Sequence, residues 1–160
     1  MKVKGIITED FVNYKIPSLT IETPYCKGFK CDRECGMPVC QNSTLANMPT
    51  LDYSIDSIIE LYQKTPFTHA IVFQGLEPFD TFEDLYDFLF VFRECYLIED
   101  DVVIYTGYYD DEIEDQLNQL KHFSNIIVKF GRYIPDMESH FDDILGVKLA
   151  SPNQYAERIS

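Results

Sequence analysis

The sequence predicts an α/β fold, and three observations lead to this prediction. Short, nearly continuous apolar runs at residues 69–73, 102–105 and 125–130 are typical of buried strands. Segments with helical spacing of apolar residues separate these runs, as in successive βαβ units. The length of 160 residues suits one domain and is too short for a closed eight-stranded barrel of ~250 residues. We therefore predict a single domain over residues 1–160, with an open, mostly parallel sheet or a partial (βα) barrel.

The N-terminal part of the chain combines two predicted strands with a long loop. Residues 2–8 and 18–23 alternate apolar and polar side chains and are rich in β-branched residues, which favours strands. The cysteine loop, about residues 24–50, has little periodicity and contains four of the five cysteines. Long loops inside compact domains usually carry function, so we expect this one to do so.

Three helices are predicted between and after the apolar runs. Ser54 is placed to cap the first. Thr81 and Asp84 resemble a capping box at the start of the second, whose periodicity places Cys95 in the core. The third spans about residues 110–122, and residues 148–160 show no clear period. The apolar positions of the first two helices are Ile55, Ile58, Ile59 and Tyr62, then Phe82, Leu85, Phe88, Leu89 and Phe92.

The net charge, the N-terminal segment and the lack of a long apolar run argue against several classes of function. Thirteen basic against 27 acidic residues give a net charge of -14, which repels nucleic acid and anionic membrane surfaces. The N-terminus lacks the features of a secretory signal, and no apolar run reaches the ~18 residues of a membrane span. We therefore expect a cytoplasmic protein. In that reducing compartment clustered cysteines indicate metal binding or catalysis before disulfides.

The cysteine loop carries the most specific chemical signal. Cys26, Cys31, Cys35 and Cys40 are spaced C-x(4)-C-x(3)-C-x(4)-C, so four thiolates lie within fifteen residues. Structural zinc sites usually have a C-x(2-4)-C pair and a second pair further along the chain, whereas this run is a single cluster with wider gaps. Iron-sulfur clusters accept loop cysteines at varied short spacings. The spacing by itself favours an iron-sulfur cluster only slightly and leaves zinc open.

Other polar segments follow the predicted strands. Residues 74–78, 106–108 and 131–132 each come directly after an apolar run. Because ligands of parallel α/β sheets bind at the carboxyl ends of the strands, these segments and the cysteine loop are expected to meet at one edge.

These motifs together resemble a known family, the small radical S-adenosylmethionine activases of the anaerobic (class III) ribonucleotide reductase. The resemblance covers the chain from Asp10 onward, and Leu76 and Phe130 depart from the family's second Gly and its Asp. The motifs that carry it are Cys40-Gln41-Asn42 after Val39, Gly75-Leu76-Glu77-Pro78, Thr106-Gly107-Tyr108, Gly131-Arg132 and Ser151-Pro152-Asn153-Gln154.

The resemblance implies the small radical SAM fold and a 4Fe-4S cluster held by three cysteines. Its pattern selects Cys26, Cys31 and Cys40, with Cys35 as an alternative ligand, because Cys40 has the apolar residue before it and the Asn after it. One iron is then left without a protein ligand and binds S-adenosylmethionine. The implied cofactor-binding residues are Asn42, Gly75, Leu76, Glu77, Pro78, Thr106 and Gly107, with Glu77 accepting from the cofactor's ammonium.

The function implied is that of an oxidoreductase. In the family, a 5'-deoxyadenosyl radical from the cofactor takes hydrogen from a glycine of the large reductase subunit, and a flavodoxin-type or similar donor supplies the electron. No protein side chain is predicted to be catalytic. Two alternatives stay open: a radical SAM enzyme acting on another protein or a small molecule, and a noncatalytic zinc-binding interaction module.

Overall fold

The computed structural model describes residues 1–160, and ten strands form its sheets. The longest strands are those predicted from the apolar runs, together with the two N-terminal ones. The strands are β1 (Lys2–Val3), β2 (Gly5–Asp10), β3 (Ser18–Thr23), β4 (Leu51–Asp52), β5 (Ala70–Gly75), β6 (Asp101–Tyr105), β7 (Ile126–Phe130), β8 (His140–Asp142), β9 (Val147–Leu149) and β10 (Tyr155–Arg158).

Six strands form the main sheet, in the order β10-β7-β6-β5-β3-β2. The four central strands β3, β5, β6 and β7 run parallel to one another. The edge strands β2 and β10 are antiparallel to their neighbours. Two small antiparallel pairs, β1 with β4 and β8 with β9, lie outside this sheet. The predicted α/β class with a mostly parallel sheet is therefore confirmed.

Helices connect the parallel strands and cover one face of the sheet. Every second residue of the central strands, such as Ile71 and Phe73 of β5, faces these helices in a core of 22 buried residues. The helices are α1 (Lys30–Cys35), α2 (Ser43–Ala46), α3 (Ile55–Lys64), α4 (Phe82–Phe90) and α5 (Glu114–Leu120). Of these, α3, α4 and α5 contribute to that core. No helix has the length and apolarity needed to cross a bilayer.

The opposite face of the sheet has a thinner cover. Ala70 and Val72 of β5 point to this side, where they join a cluster of only eight buried residues. Tyr14 and Leu145 pack against them from the segments that flank β2 and β9. Because no helix fills this side, space is left at the sheet edge for a cavity.

One of the two predicted helix caps is present in the structure, and the other is not. Ser54 caps α3 by accepting a hydrogen bond from Ser57 N at 3.1 Å, as predicted. The capping box of Thr81 and Asp84 is wrong, because the Thr81 side chain caps no helical N–H. A 3-10 turn, Pro78–Thr81, precedes α4, and Glu77 caps that turn by accepting from Phe79 N at 3.2 Å.

The placement of Cys95 in the core is also wrong, since its side chain is exposed. Helix α4 continues into a π-helical turn, Val91–Cys95. The wider turn shifts later residues around the helix axis relative to an α-helical period. Arg93 is buried instead, and its guanidinium donates to the carbonyls of Ser124, Ile98 and Asp100.

Candidate functional site

A cavity of about 400 Å³ lies at the carboxyl ends of the parallel strands. Five segments contribute most of its wall: the cysteine loop, the segment after β5, the segment after β6, the end of β7, and the segment around β9. The residues that line it are Asn13, Glu22, Cys26, Lys30, Cys31, Cys40, Gln41, Asn42, Gln74, Gly75, Leu76, Glu77, Tyr105, Thr106, Gly107, Lys129, Gly131, Tyr133, Lys148, Leu149, Ala150 and Gln154. The predicted meeting of the strand-end motifs at one edge therefore occurs.

Three of the four clustered cysteines share this cavity. Cys26, Cys31 and Cys40 line it as free thiols, whereas Cys35, at the end of α1, does not. Burial raises the pKa of each of the three thiols. Backbone N–H groups beside them oppose that rise, so each thiolate has a donor that would stabilise it.

The donor set suits a soft metal centre, although the ligands are not preassembled. No group of three or more His, Cys, Asp or Glu side chains is arranged to hold a metal ion. The three thiols nevertheless line one cavity, and thiolates are the ligands of iron-sulfur clusters and of zinc. The side chains present therefore fit a thiolate-bound group, with Cys26, Cys31 and Cys40 as its holders.

Hydrogen bonds within the cysteine loop position Cys40 and attach the loop to β5. Asp32 Oδ1 accepts from Val39 N and Cys40 N, both at 2.7 Å. Asn42 Nδ2 donates to Gly75 O at 2.6 Å. Asn42 thus joins the third thiol of the cavity to the strand end that carries the Gly-Leu-Glu-Pro motif.

A buried ion pair holds the other end of the loop. Lys30 Nζ lies 2.7 Å from Asp80 Oδ2, and the two side chains are only 3% and 6% exposed. Asp80 also accepts from Lys27 N at 2.5 Å and from Tyr108 OH at 2.7 Å. The Lys30 ammonium lies 4.0 Å from the centre of the Tyr108 ring, in cation-π contact. The segment between Cys26 and Cys31 is therefore held against the turns after β5 and β6.

Arg132 makes a third attachment, through α1. Its Nε lies 3.0 Å from Glu34 Oε2, and its two terminal nitrogens donate to the Glu112 carboxylate at 2.8 and 2.6 Å. A planar guanidinium suits such a bidentate contact. Arg132 of the Gly-Arg motif therefore links the cysteine loop to the segment before α5.

Glu77 joins the ends of β5 and β6. Its side chain is 2% exposed, Oε1 accepts from Thr106 Oγ1 at 2.7 Å, and Oε2 accepts from Gly107 N at 2.9 Å. Burial raises the pKa of this carboxyl, and these hydrogen bonds together with the nearby Lys30 oppose the rise. The carboxylate thus organises both motifs, and it still reaches the cavity wall.

Gly75 lets the chain turn where β5 meets the cavity. Its φ is +92°, a left-handed conformation, and an added Cβ would lie 3.0 Å from both Glu22 Cα and Leu45 Cδ2. A side chain is therefore excluded by backbone conformation and by contact with β3 and α2.

We expect Gly75→Ala to reduce the free energy of unfolding by about 3 kcal/mol. The substitution has two costs, because alanine is strained at this positive φ and its Cβ would press against main-chain atoms of Glu22. Urea denaturation would measure the change. Gly36→Ala is the matched control, since Gly36 has a φ of +65° but no atom within 4 Å of an added Cβ, and it should cost about 1 kcal/mol. Equal losses in the two variants would contradict the role of close packing at Gly75.

The structure brings together most of the residues that the sequence selected. Two of them lie outside the cavity wall: Cys35, and Pro78, which is buried in the 3-10 turn beneath it. The selected residues that line the cavity are Cys26, Cys31, Cys40, Asn42, Gly75, Leu76, Glu77, Thr106 and Gly107.

Several polar residues of the wall were not predicted from the sequence, and Lys129 is the most unusual of them. It is 6% exposed, and its Nζ donates to Gly131 O at 2.8 Å. Burial lowers its pKa to about 8. A lysine inside the apolar run of β7 was a signal that could have identified it. Gln154 belongs to the tail motif, although no site role was predicted for it. Glu22 and Lys30 gave no comparable signal, because only the fold brings them to this edge.

Comparison with protein-family models, with curated proteins and with solved structures gave no significant match. The geometry of this site and the motifs that build it are therefore the basis for its function.

Proposed function

We propose that this protein is an iron-sulfur radical S-adenosylmethionine activase that generates a glycyl radical on the large subunit of an anaerobic ribonucleotide reductase. One observation carries the proposal: Cys26, Cys31 and Cys40 share a single cavity with the Gly75–Glu77 turn and the Thr106-Gly107 turn. Three thiol ligands leave room for a ligand that is not part of the chain. The reducing environment that free thiols need agrees with a cytoplasmic location.

The sheet supports a partial (βα) barrel of the small radical SAM type as the finer fold. The three longest helices that cross between parallel strands, α3, α4 and α5, pack on one face, as helices do around a (βα) barrel. The cavity lies at the carboxyl ends of those strands, where ligands bind in such folds.

In this proposal the chain binds, orients and shields the cofactors. Cys26, Cys31 and Cys40 would hold a 4Fe-4S cluster, and the strand-end turns around Glu77 and Thr106 would hold S-adenosylmethionine beside it. When bound, these groups supply reductive cleavage of a sulfonium and hence a hydrogen-abstracting radical, with a flavodoxin-type or similar protein as electron donor. The Glu77 carboxylate, with one donor on Oε2, can accept a further hydrogen bond from a cationic ligand.

The size of the cavity favours a protein as the substrate over a small molecule. A volume of about 400 Å³ lies in the lower part of the ~300–1,000 Å³ range of sites for one small ligand. A cavity of this size suits one small ligand, so a cofactor bound there would leave little space for a second molecule. A substrate presented on the surface of a partner is therefore the better fit, as with a glycine of the large reductase subunit.

The zinc module is less well supported. A closed structural zinc site needs four ligands, and Cys35 does not line the cavity that the other three thiols share. The internal bonds that Glu77 makes to Thr106 and Gly107 also organise a cavity wall, which a closed metal knuckle would not require.

We expect anaerobic reconstitution of the full chain with iron and sulfide to give a brown protein that absorbs near ~400 nm, as thiolate-bound clusters do. After reduction with dithionite it should cleave S-adenosylmethionine to methionine and 5'-deoxyadenosine, measured by chromatography. With the purified large reductase subunit, it should also produce the doublet of a glycyl radical in electron paramagnetic resonance.

The outcomes of this experiment distinguish the activase from the two alternative functions. A colourless protein that keeps one tightly bound zinc and no iron would support the interaction module. Cleavage of S-adenosylmethionine without a radical on the reductase would indicate a radical enzyme with another substrate.

A further inference from the structure

Lys4 is a buried lysine that lies outside the cavity wall and contacts the far end of the cysteine loop. It stands between β1 and β2 and is 7% exposed. Lys4 Nζ donates to Ala46 O at 3.1 Å and to Met48 O at 2.7 Å. None of the ion pairs of the protein includes it. The ammonium therefore binds main-chain carbonyls, and the residue belongs to none of the motifs described above.

The two carbonyls lie at the end of α2. Ala46 is the last residue of that helix, and Met48 follows two residues later. Carbonyls at the end of a helix have no partner within it. An ammonium that donates to them makes charge-assisted hydrogen bonds, which are stronger than those between neutral groups. Lys4 therefore holds the end of α2 more firmly than a neutral donor would.

The main chain of Lys4 is attached to the main sheet. Its backbone N donates to Glu22 O of β3 at 2.7 Å. Strand β2 begins at the next residue and pairs with β3. The Lys4 side chain thus connects α2 to the sheet.

Helix α2 in turn holds Cys40, because both belong to one short segment, residues 40–48, which we call the Cys40 arm. Ser43 N, at the start of α2, donates to Cys40 O at 3.3 Å. Only Leu45 of the arm is buried. The arm contains no charged residue, so it depends on Lys4 for a charged attachment to the sheet.

The other two thiols of the cavity are held in a different way. They flank Lys30, whose ion pair with Asp80 attaches the first part of the loop to the turn after β5. Cys40 lies outside that attachment. Asp32 accepts from Cys40 N, but it belongs to the same loop and does not fix the arm to the sheet. The neutral contact of Asn42 with β5 and the ammonium of Lys4 do so from the two ends of α2.

We propose that Lys4 is a positioning residue of the metal centre, which acts through α2 to hold the Cys40 thiol at the cavity wall. The inference rests on the proposed function for the identity of that centre, a 4Fe-4S cluster. For the rest it needs only the cavity that the three thiols share.

Hydrogen exchange of the metal-free full chain, followed by mass spectrometry, tests whether Lys4 restrains the arm. In Lys4→Met the backbone amides of residues 40–48 should exchange at least ~10-fold faster, because loss of a hydrogen bond to a charged group eases local opening. Amides of β5 should keep their wild-type rates. Lys2→Met, at an exposed lysine two residues earlier, is the matched control and should change neither segment. An unchanged arm, or an equal acceleration in β5, overturns the inference.

A double-mutant cycle tests whether Lys4 acts through Cys40. The probe is Co²⁺ on the metal-free full chain, followed by its thiolate charge-transfer absorbance. Groups that support a ligand typically change metal affinity 10–100-fold, so Lys4→Met should weaken Co²⁺ binding by at least ~10-fold. In a Cys40→Ala background it should have no further effect, whereas in a Cys26→Ala background the loss should remain.

A lysine that only stabilises the fold would weaken Co²⁺ binding equally in both backgrounds. That result overturns the inference, as does a wild-type Co²⁺ site that does not include Cys40.

The cycle also separates the failure of the two proposals. Co²⁺ affinity that is independent of Lys4, in a chain that assembles a cluster and cleaves S-adenosylmethionine, overturns the role of Lys4 and leaves the proposed function standing. Co²⁺ affinity that depends on Lys4 through Cys40, in a chain that assembles no iron-sulfur cluster, supports the role of Lys4 and contradicts the proposed function.

Discussion

Replacement of Cys40 by Ala is expected to reduce reductive cleavage of S-adenosylmethionine by at least about 100-fold. Cys40 is one of the three thiols in the cavity, and loss of a ligand should cost more than the 10–100-fold typical of groups that only support a ligand. Iron content and absorbance near ~400 nm should fall in parallel. Both are measured on protein reconstituted under identical conditions.

Cys35→Ala is the matched control, because Cys35 lies in the same loop but outside the cavity wall. It should retain its iron and most of its cleavage activity. Cys95→Ala, at an exposed thiol on another element, should behave like the wild type. A result in which Cys35→Ala is inactive and Cys40→Ala is active would reverse the ligand assignment.

Asp80→Asn is expected to reduce the free energy of unfolding by about 3–5 kcal/mol, because it leaves the Lys30 ammonium buried without its counter-charge. Denaturant titration of the metal-free chain would measure the loss. Glu60→Gln provides a matched comparison, since Glu60 pairs with Lys64 on the surface with side chains 58% and 73% exposed. That change should cost no more than about 0.5 kcal/mol.

A second variant and a pH series test the same ion pair. Lys30→Met/Asp80→Asn removes both charges of the pair, so at least half of the lost stability should return. Additive losses would contradict the interpretation. Burial tends to raise the pKa of Asp80, but hydrogen bonds from Lys27, Lys30 and Tyr108 outweigh it and hold the pKa below its usual value. The pair therefore stabilises the fold above the unfolded pKa of about 4, and this contribution is lost as the pH falls through the lower folded value. Unfolding of Asp80→Asn should depend less on pH in that acidic range.

Much of the fold could be predicted because apolar patterns report burial directly. The strands β5, β6 and β7 have consecutive apolar residues, so apolar side chains point to both faces of the sheet. This pattern is typical of strands that are covered on both sides. The edge strand β10 was missed, since Tyr155–Arg158 has one buried residue and no run to detect. The π-helical turn that exposes Cys95 was missed for a different reason: a one-residue change of period leaves no mark in the composition of the helix.

The candidate site was predictable only where a motif marks it. Cysteines and glycines at strand ends are visible in the sequence, and the cavity contains them. The contacts that hold these segments in place, such as Lys30 with Asp80 and Asn42 with Gly75, join residues that are far apart in the sequence. No local pattern predicts them. Cys35 shows the limit of spacing as a criterion, because it is as close in sequence to the other thiols but ends α1 away from the cavity wall.

The attachments of the cysteine loop differ in kind from the packing of the domain. Between residues 24 and 50 only Lys30 and Leu45 are buried, and the loop is held by ion pairs and hydrogen bonds around the cavity. Segments with few apolar contacts open at lower free energy than the core that carries them. Local opening can therefore expose the thiols while the sheet and its helices stay folded. Under the proposed function, we expect iron and sulfide to enter in this way, so that the metal centre assembles on a scaffold that is already folded.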